Sequence, residues 1–155
     1  MALIGFAVTS SSVAQGPDTV AIADLAIAHV PYTADSSAVR RELGAPTRAH
    51  RETRPNDDGI RLTYWTYPDL RFAFDTNGYV YTIEVTGSRY PTARNTKVGA
   101  TFRSVRQAYG EPVHGDRHAL FYALSSSEFE TSGIAFLFEK GLLKRIIVGQ
   151  VISIE

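Results

Sequence analysis

One short stretch of the sequence carries residue types that bind metal ions. His114, Asp116 and His118 fall within five positions, and Glu111 lies just before them. A zinc site needs three or four converging ligands with supporting partners, and the chain has no cysteine to supply thiolates. We therefore interpret the stretch as a solvated loop, with a weak divalent-cation site as the alternative, and expect neither a metal nor another cofactor.

Adjacent carboxylates are a second candidate for chemistry. Asp57 and Asp58 could act as an acid–base pair only if burial or a partner separated their two pKa values. They stand directly before Gly59, in a segment typical of a turn. The sequence has no Gly-x-Ser-x-Gly elbow, phosphate-binding loop or dinucleotide fingerprint. We therefore predict no catalytic residue, and an active site assembled from distant residues stays open as an alternative.

The composition excludes several classes of protein. The chain has 155 residues, enough for one ordinary domain, and 44% of them are hydrophobic and 21% charged, as in soluble globular proteins. Lys+Arg and Asp+Glu both count 16, so the net charge is zero. A general nucleic-acid binder needs a basic excess to neutralise phosphates, so we expect no nucleic-acid partner. Without cysteine, neither a disulfide framework nor a lipid-anchoring Cys is available.

The first 18 residues are unlike the rest of the chain. The apolar run 2–8 is too short to span a bilayer, and a stretch of small residues follows it. This pattern resembles the second half of a secretory signal peptide, although a basic start is missing. We interpret residues 1–18 as a tail or partial signal peptide and expect an extracytoplasmic protein without a transmembrane segment. A frayed, Ser-rich tail is the alternative.

Two segments 66 residues apart share one pattern. Val39–Pro46 and Val105–Pro112 match at Val, Arg, Gly and Pro. Each predicts the end of a short amphipathic helix, because apolar residues lie four apart before a Gly and a Pro. We predict the left-handed C′ conformation at both glycines, Gly44 and Gly110. The predicted N-caps are Asp35 and Thr101.

A predicted hairpin follows each helix. Asn77-Gly78 lies between two β-rich runs and predicts a type I′ turn, and Lys140-Gly141 takes the same place in the second segment with a weaker signal. An earlier strand precedes each hairpin, at 60–67 and 120–124. One more apolar run, 25–32, is interpreted as a strand, with a short helix at 19–27 as the alternative.

Together these elements predict an α+β fold. It consists of two tandem helix–β-meander units, residues 19–92 and 93–155, packed as one domain. Their antiparallel sheet is covered on one face by the short helices.

The order of these motifs resembles two known families. Thr96-Lys97-Val98-Gly99-Ala100-Thr101, followed by Val105 and Gly110-Glu111-Pro112, resembles the V-G-x-T … V … G-x-P opening of the small outer-membrane assembly lipoproteins (SmpA/OmlA) and of the β-lactamase-inhibitor-protein-like domains. The resemblance continues in the aromatic strand 64–67 and the hairpin 70–80, and covers most of residues 30–150. It implies a helix-on-sheet repeat with a binding or scaffolding role. It implies neither lipid anchoring, because no N-terminal Cys is present, nor β-lactamase inhibition, since the inhibitor protein uses disulfides and this chain has no cysteine. The first copy also departs from the motif, because Thr33 stands where the second copy has Gly99.

Alternation along the strands predicts which residues bind a partner. Period-two geometry places Trp65 and Tyr67 on the face opposite Tyr64. The hairpin alternation predicts that Arg71 and Glu84 face away from the helices. The covered set is then Phe72, Phe74, Ile83 and Val85, and the open set also contains Ala73 and Thr82.

We predict a partner-binding patch of Trp65, Tyr67, Arg71 and Glu84 on the open face, because aromatic and Arg side chains are typical binding anchors. In the alternative, a register error of one residue puts Trp65 in the core and Tyr64 outside.

These observations favour a non-catalytic, extracytoplasmic binding or scaffolding module with a protein or peptide partner. One alternative is a small-ligand-binding protein or enzyme with a pocket between helix and sheet. Another is a protein that inhibits an enzyme.

Overall fold

Strands form most of the regular structure. The computed structural model describes residues 18–56, 59–124 and 132–150. Its helical elements are a 3-10 turn (Ile22–Asp24), α1 (Ser36–Leu43) and α2 (Phe102–Tyr109). The strands are β1 (Ala26–Ile27), β2 (Val30–Pro31), β3 (Arg48–Arg51), β4 (Thr63–Tyr67), β5 (Leu70–Phe74), β6 (Val80–Val85), β7 (His114–Gly115), β8 (Ala119–Ala123), β9 (Ser132–Glu139) and β10 (Leu142–Gln150).

The predicted α+β class is wrong, because the chain is mostly β. Eight strands form one antiparallel sheet in the order β3-β4-β5-β6-β10-β9-β8-β7, beside the two-stranded sheet β1-β2, and only 15% of the chain is helical. The prediction missed β3 and β7. All four residues of β3 are exposed and β7 is two residues long, so neither strand has the apolar alternation that marks a strand in a sequence.

The middle of the sheet joins the first and last parts of the described chain. β10 pairs with β9 on one side and with β6 on the other, where Val85 lies opposite Ile146 and Ile83 opposite Val148. All four of these side chains are fully buried. One continuous core therefore runs across this junction.

Both helices begin at the predicted N-caps. Asp35 Oδ1 accepts a hydrogen bond from the Ala38 N–H at 2.9 Å, and Thr101 Oγ1 accepts one from the Ser104 N–H at 3.2 Å. Each cap satisfies one of the N–H groups that have no partner in the first turn of a helix. Each helix then directs one fully buried valine into the core, Val39 in α1 and Val105 in α2.

The glycines that end the helices have positive φ, as predicted, but they are not in the left-handed helical region. Gly44 has φ 77° and ψ −162°, and Gly110 has φ 80° and ψ −141°. This extended region at positive φ is essentially restricted to glycine. Each glycine carbonyl accepts a 3.0 Å hydrogen bond from a buried tyrosine hydroxyl, from Tyr67 to Gly44 and from Tyr122 to Gly110.

The two hairpin turns differ from their sequence signals. Gly78 has φ 83° but Asn77 keeps a negative φ, so the predicted type I′ turn at Asn77-Gly78 is wrong. Asp75 is the physical reason, because its Oδ1 accepts from the N–H groups of Asn77 and Tyr79 and favours a wider loop. At the weaker signal, both Lys140 and Gly141 have positive φ, at 51° and 78°, as a type I′ turn requires.

The segment before α1 folds as a tight hairpin. The strand predicted at 25–32 is divided into β1 and β2, and both turn residues have positive φ, Ala28 at 54° and His29 at 63°. Asp18, which the sequence assigns to the tail, donates its N–H to the Glu111 carbonyl and accepts from the Glu111 N–H. The part of the tail before Asp18 lies outside the described residues.

Arg94 connects the segment before α1 to α2. Its Nε and Nη2 donate to the carboxylate of Asp24 at 2.9 and 2.8 Å, and its Nη1 donates to the Ala108 carbonyl at 3.1 Å. Its guanidinium carbon lies 4.7 Å from the centre of the Tyr109 ring. The hydrogen bonds from Arg94 lower the pKa of Asp24.

Among the described residues, neither helix has the length and apolar character that crossing a bilayer requires.

Candidate functional site

Arg71 and Glu84 lie on the sheet face away from the helices, as predicted. They are directly opposite each other on β5 and β6, and Arg71 Nη2 is 2.6 Å from Glu84 Oε2. Arg145 of β10 places its Nη1 3.4 Å from the other oxygen of Glu84. The Arg71 side chain is 50% exposed, whereas that of Glu84 is only 18% exposed because two arginines flank it.

Trp65 and Tyr67 lie on the other face, so the predicted patch of Trp65, Tyr67, Arg71 and Glu84 is not formed. Tyr67 is 6% exposed and belongs to the core under the helices. The Trp65 ring meets Phe74 edge-on at 4.9 Å, and the Arg40 guanidinium of α1 lies 5.2 Å from its centre. The alternative register, with Trp65 against the core and Tyr64 outside, is the one that the structure adopts.

Tyr64 therefore takes the place beside Arg71 that the prediction gave to Trp65. The Arg71 guanidinium carbon lies 5.1 Å from the centre of the Tyr64 ring. The Tyr64 hydroxyl donates to Glu52 Oε1 at 2.9 Å, and burial is the main cause that raises its pKa. These residues and Glu84 form a set that we call the open-face cluster, comprising Glu52, Tyr64, Arg71, Glu84 and Arg145.

Farther along the same face the side chains become apolar. The row that contains Arg71 and Glu84 continues across the sheet through Ile147, Ala135 and Phe121. Phe121 and Ala135 are buried in a small cluster separate from the main core. No described helix contributes to this cluster, so the described helices pack on the opposite face.

The loop with the metal-binding residue types uses those groups for its own turn. Asp116 Oδ1 accepts from the N–H groups of His118 and Ala119 at 2.7 and 3.0 Å, and these bonds lower the pKa of Asp116. Arg117 Nε donates to His118 Nε2 at 2.8 Å, and the His114 ring stacks on Phe121 instead. Within residues 18–56, 59–124 and 132–150, no three His, Asp or Glu side chains converge as metal ligands would. The other carboxylate candidates, Asp57 and Asp58, lie outside the described residues.

A pocket of about 220 Å³ opens on the helix-covered face at one end of the sheet. Its walls come from the start of α1, the end of β3, the strand β4 and the β5–β6 hairpin. It is lined by Ser36, Arg51, Arg61, Thr63, Trp65, Phe74, Asp75, Thr76 and Gly78. No described carboxylate forms an ion pair with Arg51 or Arg61. We call this the arginine pocket.

A wider groove of about 530 Å³ runs along the other side of α1. It includes Asp35, Arg41 and Glu42 of the α1 region and the ring of Tyr79, which is 53% exposed. The groove has charged groups of both signs, and no aromatic ring as buried as that of Trp65 is among its described lining residues. It is therefore a less defined site than the arginine pocket.

The sequence reasoning missed the arginine pocket, although one signal for it was available. The same frame that aligns Val39 with Val105 aligns Ser36 with Phe102. A small polar residue where the second segment has a large aromatic one indicates missing volume. Arg61 carries no such signal, because only the fold brings it beside Ser36.

Comparisons with known proteins support the fold alone. No family model and no curated protein match the chain. The chain is similar to the solved structure of an extracellular protein containing an SCP domain from Bacillus anthracis strain Ames, with a TM-score of 0.52 and 13% identity. The likeness covers 93% of this chain but 50% of that protein, so the chain spans half of its length. At this identity, what the two share is the arrangement of helices and strands.

Proposed function

We propose that the chain is an extracytoplasmic binding module that recognises a protein or peptide with the open face of its sheet. The observation that carries this proposal is the open-face cluster: a tyrosine, two arginines and two glutamates fixed on a face that no described helix covers.

The contacts within the cluster support binding because they hold its anchors in place. Tyr64 is held by Arg71 over its ring and by Glu52 at its hydroxyl. Tyr and Arg side chains contribute most of the energy at many protein interfaces, and side chains that are already ordered lose less conformational freedom on binding. Glu84 between two arginines adds both charge signs, which suits a partner of mixed charge.

The nature and location of the partner rest on two further observations. A chain with equal numbers of acidic and basic residues lacks the excess positive charge that a nucleic-acid partner demands. The extracellular protein of similar fold, together with the signal-like start, supports a secreted or periplasmic location. The resemblance to the assembly lipoproteins and inhibitor-like domains supports the same role.

Site-specific cross-linking tests this proposal. A photoreactive residue at Thr82, which is half-buried between Ala73 and Gly149 on the open face, is expected to capture a defined partner in an extract of the native source. The matched control carries the same group at Arg41, an exposed position on α1. Adding Tyr64→Ala and Arg71→Ala to the Thr82 probe should abolish capture. Equal capture from both positions, or capture that survives the double substitution, would contradict the proposal.

A further inference from the structure

We propose that the arginine pocket binds a small aromatic carboxylate. This site lies on the helix-covered face and is independent of the proposed function, which uses the opposite face. Four observations carry the inference: the origin of the pocket, its charge, its aromatic wall and its size.

The pocket exists because α1 begins with a small residue where α2 begins with a large one. Ser36 and Phe102 occupy the same place, since the Ser36 N–H donates to the Gly78 carbonyl and the Phe102 N–H to the Gly141 carbonyl. We call residues 19–92 the first half and residues 93–155 the second half. In the second half, Phe102 packs on Phe138 with ring centres 5.1 Å apart. In the first half, Phe74 has no such neighbour from the helix, and the space beside Ser36 stays open.

The charged groups that line the pocket favour an anion. Arg51 and Arg61 contribute two guanidinium groups that no described carboxylate neutralises. The acidic group in the wall is Asp75, whose Oδ1 is occupied by two N–H groups of the hairpin. With Asp75 counted, the charges of the described lining residues sum to plus one, which matches a monocarboxylate. A planar guanidinium also binds a carboxylate through two parallel hydrogen bonds.

The remaining wall favours a flat, apolar body. Trp65 and Phe74 line the pocket and meet edge-on, so their rings form two sides of an apolar corner. The hydroxyls of Ser36, Thr63 and Thr76 provide a few polar contacts. Ligand sites commonly combine such aromatic walls with a small number of polar groups. A volume of about 220 Å³ holds the equivalent of roughly seven water molecules, which is enough for one ring with a carboxylate.

Titration calorimetry with two ring compounds of equal shape tests the charge requirement. Benzoate carries the carboxylate, and benzamide is its neutral counterpart. We expect benzoate to bind the full chain with a stoichiometry of one, and benzamide to bind at least about tenfold more weakly, because a hydrogen bond to a charged group is the stronger kind. Inorganic phosphate should bind more weakly than benzoate, since it makes no use of the aromatic wall.

Three variants locate the site. Ser36→Phe copies the residue that closes the equivalent space in α2, so it should abolish benzoate binding and leave the melting temperature unchanged or higher. Arg61→Gln should weaken benzoate binding at least about tenfold without changing benzamide binding. The control is Arg117→Gln, which removes an exposed arginine of the second half and should change neither.

Several outcomes would overturn the proposal. These are equal binding of benzoate and benzamide, no benzoate binding, or benzoate binding that survives Arg61→Gln. If Ser36→Phe fails to fold, the Arg61→Gln variant still decides the result. Because the open-face substitutions Tyr64→Ala and Arg71→Ala lie on the other face, they should leave benzoate binding intact, so failure of one proposal leaves the other standing.

Discussion

The two halves of the large sheet share one hydrogen bond, from a tyrosine to the glycine that ends the helix, but they differ at the start of the helix. In both, a tyrosine on the second strand after the helix donates its hydroxyl hydrogen to the carbonyl of the glycine that ends that helix. The start of the helix differs, because Phe102 fills in the second half the space that Ser36 leaves open in the first. These hydrogen bonds fix the backbone, and the side chain at one helix position then decides whether a half is closed by apolar packing or keeps a cationic pocket.

The link between the paired strands also differs between the halves. β7 and β8 are joined by a turn of three residues, whereas β3 and β4 are joined by an 11-residue segment. Arg61 stands at the end of that longer segment and lines the arginine pocket. The longer connection therefore adds a second arginine beside Arg51, whereas the short turn of the second half carries Asp116 and Arg117, which have opposite charges.

The largest expected difference between the halves concerns the two glycines. Gly110→Ala should destabilise by about 1 to 3 kcal/mol more than Gly44→Ala, measured by urea unfolding. Both substitutions strain a backbone at positive φ. A Cβ at Gly110 would also collide with the Asp18 carboxylate, whereas one at Gly44 would meet no described atom within 4 Å. Equal losses would mean that Asp18 moves aside freely, and Asp18→Gly combined with Gly110→Ala tests that directly.

Each tyrosine hydroxyl should stabilise its own half. Tyr122→Phe and Tyr67→Phe each remove one hydroxyl and leave a glycine carbonyl without that donor, at a cost of about 1 kcal/mol for the exposed Gly44 and up to about 3 kcal/mol for the half-buried Gly110. The loss should be the larger for Tyr122, which is 0% exposed against 6% for Tyr67. Melting temperatures of the two single variants measure this. A neutral result in one half would show that its helix end is held by other contacts.

Alkaline pH should weaken the second half through Tyr122. Burial raises the pKa of Tyr122 from 10.0 to about 12. The folded protein therefore holds this proton more tightly than the unfolded chain, so the stabilisation is complete below about pH 10 and is lost as the pH rises toward 12. Unfolding free energies measured between about pH 9 and pH 11.5 should fall less steeply in Tyr122→Phe than in the parent. Parallel curves would contradict this.

Removing the Phe102 ring from the second half should reduce the free energy of unfolding by less than Gly110→Ala does. Phe102→Ser gives α2 the residue that begins α1 and removes a half-buried ring from Phe138, at about 1 to 2 kcal/mol. Thermal denaturation measures the loss. Benzoate should not bind in the new space, because the turn between β7 and β8 carries an acidic residue, Asp116, beside Arg117 and so has no pair of arginines. Benzoate binding there would show that the aromatic wall alone is sufficient.

The smallest effect is expected at the two type I′ turns. Lys140-Gly141 has a glycine at one positive-φ position, whereas Ala28-His29 has none. Replacing Ala28-His29 with Asn-Gly should stabilise by about 0.5 to 1 kcal/mol, because these residues tolerate the required backbone. Replacing Lys140-Gly141 with Ala-His should destabilise by a similar amount. A differential scanning measurement on both variants compares the turns, and no change in either would mean that the flanking strands alone hold them.

The sequence correctly predicted the features that depend on neighbouring residues in the chain. The capping residues Asp35 and Thr101 and the positive φ of Gly44 and Gly110 follow from local backbone chemistry, and the structure confirms them. The strands β3 and β7 could not be predicted in the same way, because an exposed four-residue strand such as Arg48–Arg51 and a two-residue one carry no apolar alternation.

The candidate site was harder to predict, because it depends on which face each strand presents. Alternation separated Tyr64 from Trp65 correctly but could not tell which of the two meets the core, since a shift of one residue exchanges the faces. The pairing of Arg71 with Glu84 was available from hairpin alternation alone. The arginine pocket could not be predicted from alternation, because Arg51 and Arg61 come together only after β3 pairs with β4.

The junction between β6 and β10 has a consequence for how the chain is made. β10 is the last described strand to be synthesised. Until it emerges from the ribosome, the edge of β6 that pairs with β10 has unpaired backbone N–H and C=O groups. Buried apolar residues such as Ile83 and Val85 are then exposed during synthesis. A chain interrupted before β10 would present an open edge to its neighbours, and pairing with a second nascent copy would compete with correct folding.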